Sequence, residues 1–133
     1  MSSERSKLSA EYALLAQLAN ELRSQLDLLN AALNEVLTAK AALEEVSKLK
    51  GGEELLIPLG GGVMIKALFK GEHKVLVNVG SNVIVEKDLE GAVKYLSDRE
   101  QALRRELQQR ASEYRSILER LRELESKIAQ AGR

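Results

Sequence analysis

Cysteine is absent from the 133 residues, so neither a disulfide nor thiolate chemistry is available. Tryptophan is absent too, phenylalanine occurs once and aromatic residues make up 3% of the chain. A globular core this poor in rings is unusual, whereas long helical seams of Leu, Ile, Val and Ala need none. Proline occurs once, at Pro58, and histidine once, at His73. No charge of one sign prevails: Lys+Arg and Asp+Glu both number 20. The basic excess usual in nucleic-acid binders is therefore missing. No apolar run reaches the ~20 residues of a membrane span. No apolar stretch follows Met1-Ser2-Ser3-Glu4-Arg5, so no signal peptide is expected. With no cysteine either, a cytoplasmic location is expected.

What remains is 44% hydrophobic and 30% charged, the composition of a folded, water-facing chain. It divides into three stretches, 1–50, 51–86 and 87–133, read together as one structural domain. Residues 8–49 hold neither Gly nor Pro, while residues 51–86 hold seven of the nine Gly and the only Pro. Residues 87–130 return to helix formers, broken only by Gly91.

The first stretch carries a heptad seam. Leu8, Leu15, Leu22, Leu29, Val36 and Leu43 recur every seven residues, with Tyr12, Ala19, Leu26, Leu33, Lys40 and Ser47 between them. Leu14, Leu18, Leu28 and Leu37 are expected to broaden that face. Lys40 and Ser47 interrupt it, either setting register or letting the helices splay. The third stretch repeats the pattern with Leu89, Leu96, Leu103, Arg110, Ile117 and Leu124, alternating with Val93, Glu100, Leu107, Tyr114, Leu121 and Ile128. Glu100 and Arg110 read as seam-edge charges with apolar stems, or as register-setting partners of the facing helix. Asp88 can cap the helix start. Two helices of ~42 residues, each about 60 Å long at 1.5 Å per residue, suit an antiparallel hairpin.

The middle stretch predicts four strands, at 54–59, 63–69, 74–79 and 82–86, forming two hairpins. Pro58 lacks an amide donor and belongs at an edge or bulge. One strand face presents Leu55, Ile57, Leu59, Val63, Ile65, Phe69, Val75, Val77, Val79, Val83 and Val85. The other carries Leu56, Met64, Leu68, Leu76 and Ile84, where a solvated face would be polar. Some 30 residues of sheet cannot cover both faces, so oligomerisation through this segment is expected.

Catalytic signals are weak. His73, in a hairpin loop, reads as a solvated side chain; zinc needs more His or Cys ligands than the chain has. Gly60-Gly61-Gly62 is followed by no Lys-Ser or Lys-Thr at phosphate-loop spacing and reads as a turn. Glu44-Glu45 and Glu53-Glu54 read as solvated pairs. No enzyme and no cofactor is expected. Residues 87–133 hold 11 basic and 9 acidic residues, read as an ion-paired helix surface with a nucleic-acid stripe as the alternative. In an antiparallel hairpin the chain ends meet, gathering Leu8, Tyr12, Leu14, Leu15 and Leu18 with Ile117, Leu118, Leu121, Leu124 and Ile128. These pack the seam, or open to offer apolar side chains to other proteins.

The run Ile57-Pro58-Leu59-Gly60-Gly61-Gly62-Val63, the run Val75-Leu76-Val77-Asn78-Val79-Gly80-Ser81-Asn82-Val83-Ile84-Val85-Glu86-Lys87, and then Ala92 and Leu96, resemble the alpha class of archaeal prefoldin subunits. The resemblance spans the chain. It implies an α+β fold: a long antiparallel two-helix coiled coil with two β-hairpins between the helices, the hairpins joining an oligomeric β-barrel. It also implies a heterohexamer of two alpha-class and four beta-class subunits. Its coiled coils would project as tentacles that hold unfolded client proteins without ATP and pass them to a group II chaperonin. Neither nucleic acid nor membrane is an implied partner. The assembly residues expected are Leu56, Pro58, Met64, Leu68, Leu76, Gly80 and Ile84; the client residues are the ten at the chain ends. A nucleic-acid-binding helical arm and a purely structural coiled-coil scaffold are the alternatives.

Overall fold

The structure is a computed structural model that describes residues 2–132. In chain order it has α1 (Ser2–Ser47), β1 (Glu54–Gly60), β2 (Val63–Leu68), β3 (Lys74–Asn78), β4 (Ile84–Asp88) and α2 (Leu89–Ala131). The α+β architecture expected from the heptads and the glycine-rich middle is present. Two compact units organise it.

The first unit takes the residues up to Asn34 and those from Gln101 onward. Here α1 and α2 run antiparallel, as the bonds between them show. Tyr12 donates its hydroxyl proton to Glu125 at 3.0 Å, Arg120 Nε donates to Glu11 at 3.0 Å, and Arg110 donates to Gln25. Ala19, Leu22, Leu33, Leu103, Leu121 and Leu124, all from the two heptad rows, are buried. The second leucine stripe departs from expectation. Leu14 is 69% exposed and Leu28 72%, with Leu18 also exposed, so these flank the seam instead of widening it. A seam between only two helices covers a narrow stripe of each, and side chains beyond it stay in water.

The second unit is Glu35–Glu100. Val36 and Ala92 are its buried residues, and the Lys40 ammonium meets the Glu100 carboxylate at 2.9 Å. Leu37 and Val93, both expected to face the partner helix, are exposed. α1 ends at Ser47, whose hydroxyl turns back to the Glu44 carbonyl, and Gly51 and Gly52 follow with φ of 133° and 88°.

The strands pair as two separate antiparallel hairpins, β1 with β2 and β3 with β4. In the first, the register is irregular between Pro58 and Gly60, where a residue without an amide donor does least harm. Gly61 and Gly62 close it with φ of 58° and 80°. In the second, Ser81 and Asn82 both take positive φ, 51° and 61°, and Val83 N–H donates to the Gly80 carbonyl at 2.9 Å. That is the mirror-image turn that matches strand twist. Asn82 and Val83 are therefore turn residues, and β4 begins at Ile84 instead of residue 82. It runs to Asp88, whose carboxylate accepts the Gly91 N–H at 2.7 Å and caps α2.

The linker between α1 and β1 is tied down by side chains. Glu53 accepts the N–H groups of Lys50 at 2.8 Å and Gly51 at 2.6 Å, and these bonds hold its carboxyl below the ordinary 4.5. Contrary to the solvated loop expected for it, His73 is half-buried. Its Nε2 donates to the Leu49 carbonyl at 2.8 Å, and its ring lies 5.5 Å from that of Phe69. It satisfies a carbonyl just past the end of α1 that the helix leaves open.

Two outcomes follow from this packing. Leu124, with no exposed surface, should cost about 2–5 kcal/mol when changed to Ala, whereas Leu28→Ala should stay within about 0.5 kcal/mol of the parent, both read from denaturant unfolding. A carboxyl whose pKa is lower folded than unfolded stabilises above the unfolded value and loses that contribution as pH falls through the folded one. The Glu53 side chain should thus titrate below 4.5 by carbon-detected NMR, and Glu53→Gln should flatten the acid limb of the stability curve.

Candidate functional site

No group of three His, Cys, Asp or Glu side chains that could hold a metal occurs among the described residues. No helix among them is long and apolar enough to cross a membrane. The chemistry that the chain displays is apolar surface. Among the described residues sixteen large hydrophobic side chains are exposed, and eleven of them lie between Leu56 and Ile84.

The strand registers sort these onto faces. In the first hairpin Leu56 stands opposite Lys66, Pro58 opposite Met64 and Glu54 opposite Leu68, so all six share a face. Leu56, Met64 and Leu68 are exposed there, Leu68 by 70%. The other face, through the pairs Leu55–Ala67 and Ile57–Ile65, is also open at Ile57 and Ile65. In the second hairpin the faces differ. Val75, Val77 and Val85 are half-buried. Val75 and Val77 border a cleft of about 590 Å³ whose far wall includes Val36, Leu43 and Leu96. The Tyr95 hydroxyl reaches the Asn78 carbonyl at 3.5 Å beside it. Leu76 and Ile84 occupy the opposite face, Leu76 at 74% exposure, among Lys74, Asn78, Glu86 and Asp88. Pro58 and Gly80, the two remaining assembly candidates, are exposed at the bulge and the turn.

The strand alternation predicts two apolar faces that the sheet cannot cover, and both are open: beside the five residues of the second face, Ile57, Leu59, Val63, Ile65, Val79 and Val83 of the first are exposed too. Among the described strands β3 borders a cleft with the helices, through Val75 and Val77, and four of these six residues belong to the first hairpin. Nothing in a period-two pattern says which hairpin docks on its own helices.

The ten candidates at the chain ends fall into three groups within the first unit. Leu14 and Leu18 are exposed; Leu8, Tyr12, Leu15, Ile117, Leu118 and Ile128 are half-buried; Leu121 and Leu124 are buried in the seam. In this conformation the last two have no surface to offer. Polar bonds border the seam here. The hydrogen bond to Glu125, and then that carboxylate's charge, push the Tyr12 hydroxyl above its ordinary pKa. Arg120 bridges Glu11 and Glu123, which raises its own pKa. With Arg110 paired to Glu106, these contacts fit the ion-paired surface expected of α2.

Comparison with known proteins agrees with this geometry. A family profile described as "Prefoldin subunit" matches residues 15–133. A "Prefoldin subunit alpha" of Thermofilum pendens is 38% identical over 128 residues, covering 96% of this chain and 99% of the relative. One from Pyrococcus horikoshii is 31% identical, covering 98% and 84%. In fold, the chain is similar to one in a cryo-EM structure of filamentous PFD from Methanocaldococcus jannaschii, with a TM-score of 0.61, 23% identity and coverage of 94% and 95%. Two long helices with two hairpins between them, apolar on more faces than they can cover, are thus matched along nearly the whole chain by alpha-subunit relatives: the chain belongs to the prefoldin family.

Proposed function

We propose that this chaperone subunit works as part of a non-enzymatic, ATP-independent holdase in the cytoplasm, in which two copies join four beta-class subunits. The hairpins build the shared β-barrel. The helical ends hold unfolded client proteins before release to a group II chaperonin. The observation that carries this reading is the set of aliphatic side chains left open on both hairpins: Leu56, Met64, Leu68, Leu76 and Ile84 on one set of faces, Ile57 and Ile65 on another. Each such side chain gains about 1.5–3 kcal/mol when fully buried, so covering even a few outweighs much of the cost of association. Unpaired edges on every strand add backbone donors and acceptors suited to pairing with neighbouring chains.

Client holding rests on Leu14 and Leu18, which are apolar, exposed and adjacent on one flank of α1. The half-buried residues beside them can join as a client displaces water. The nucleic-acid alternative loses support because Arg110 and Arg120 are engaged with carboxylates and the chain carries no net charge.

Two experiments test the parts separately. Native mass measurement of the chain with a beta-class partner should give a two-plus-four complex, and Leu56→Glu with Leu76→Glu should shift it to smaller species. An unchanged mass would remove the hairpin faces from the assembly. Leu14→Ser with Leu18→Ser should leave that mass and the melting temperature nearly unchanged, since exposed substitutions stay within about 0.5 kcal/mol. The same variant should suppress aggregation of a denatured protein less well, without nucleotide in either case. Full suppression would point to a scaffold that holds clients elsewhere.

A further inference from the structure

The heptad rows of α1 and α2 are mostly aliphatic, and an aliphatic seam meets a chemically similar partner after a slip of seven residues. Burial alone therefore cannot choose the axial register. Helical continuity does not choose it either, because residues 48–53 between α1 and β1 are non-helical and contain Gly51 and Gly52. Three charged residues interrupt the rows: Lys40 in α1, Glu100 and Arg110 in α2. Lys40 and Glu100 meet each other, Nζ to Oε1 at 2.9 Å, with side chains only 31% and 18% exposed.

We infer that the Lys40–Glu100 pair is a register lock that sets where α2 stands against α1 in the Glu35–Glu100 unit. Slipping one helix by a heptad, about 10 Å at 1.5 Å per residue, breaks the pair in both directions. One slip levels Lys40 with Leu107 and Glu100 with Ser47; the other levels Lys40 with Val93 and Glu100 with Leu33. Each strands a half-buried charge beside an aliphatic side chain, which is strongly disfavoured, although an apolar pair at the same place would tolerate either register. The register matters to the second hairpin because it decides which α1 side chains, here Val36 and Leu43, join Leu96 of α2 around the cleft that Val75 and Val77 border. The pair thus selects the platform on which the second hairpin docks.

The absence of cysteine makes the test clean. Spin labels on Thr38→Cys and Asp98→Cys, both exposed helix positions in the full chain, report the axial offset by pulsed electron resonance. The parent pair should give one distance population. Lys40→Leu with Glu100→Leu should keep full helix content by circular dichroism and add a second population displaced by a heptad. Glu100→Lys, which sets like charges together, should also depopulate the parent distance. Lys40→Glu with Glu100→Lys should restore the single population. An unchanged single distance in the double-leucine variant would overturn the inference, as would loss of helix in it or failure of the charge swap to restore register.

Discussion

A two-stranded ribbon has two faces and two edges, and this chain makes nearly all of them apolar or unpaired. The first hairpin is open at Leu56, Met64 and Leu68 on one side and at Ile57 and Ile65 on the other. The second rests one face above Val36, Leu43 and Leu96 and leaves Leu76 and Ile84 in water. Helices that could have covered more of this surface spend their apolar stripe on each other. This open apolar surface accords with the chain's membership of a family of prefoldin subunits.

The coiled coil obeys a different economy. Its strength comes from repeated aliphatic side chains, and repetition is also its weakness, since similar heptads distinguish poorly between one alignment and the next. Polar intrusions at Lys40 and Glu100 give up some apolar burial for an unambiguous match. Elsewhere the polar contacts border the seam: Tyr12 with Glu125, and Arg120 between Glu11 and Glu123. These lie at the solvent border of the seam and stabilise little individually.

Turns and caps make the junctions reliable. Asp88 ends a strand and starts a helix in one residue, its carboxylate on the Gly91 amide. Glu53 and His73 treat the opposite junction, one accepting amides past the end of α1, the other donating to the Leu49 carbonyl. Glu53 and His73 had no visible role in the sequence because their partners are backbone groups, which carry no residue identity. The turn at Ser81 and Asn82 was misread for a related reason. Val83 looks like a strand residue, and only the backbone angles show that the strand starts later.

Much of the fold was legible because it depends on periodicity, and periodicity is a property of the chain. Heptads at Leu8 to Leu43 and Leu89 to Leu124 specify two helices with one buried stripe each, and glycine clusters specify where the chain turns. The excess of aliphatic residues on alternate strand positions likewise announced a surface too apolar for water. Which surface stayed open was not a property of the chain. Leu14 and Leu121 are both leucines in helical runs, yet one is exposed and the other buried, because a two-helix seam covers a narrow angle of each helix. Ile57 and Val77 are both β-branched strand residues, yet only the second lies against a helix. Those distinctions arise from where one segment happens to shield another from solvent, which only the tertiary structure decides.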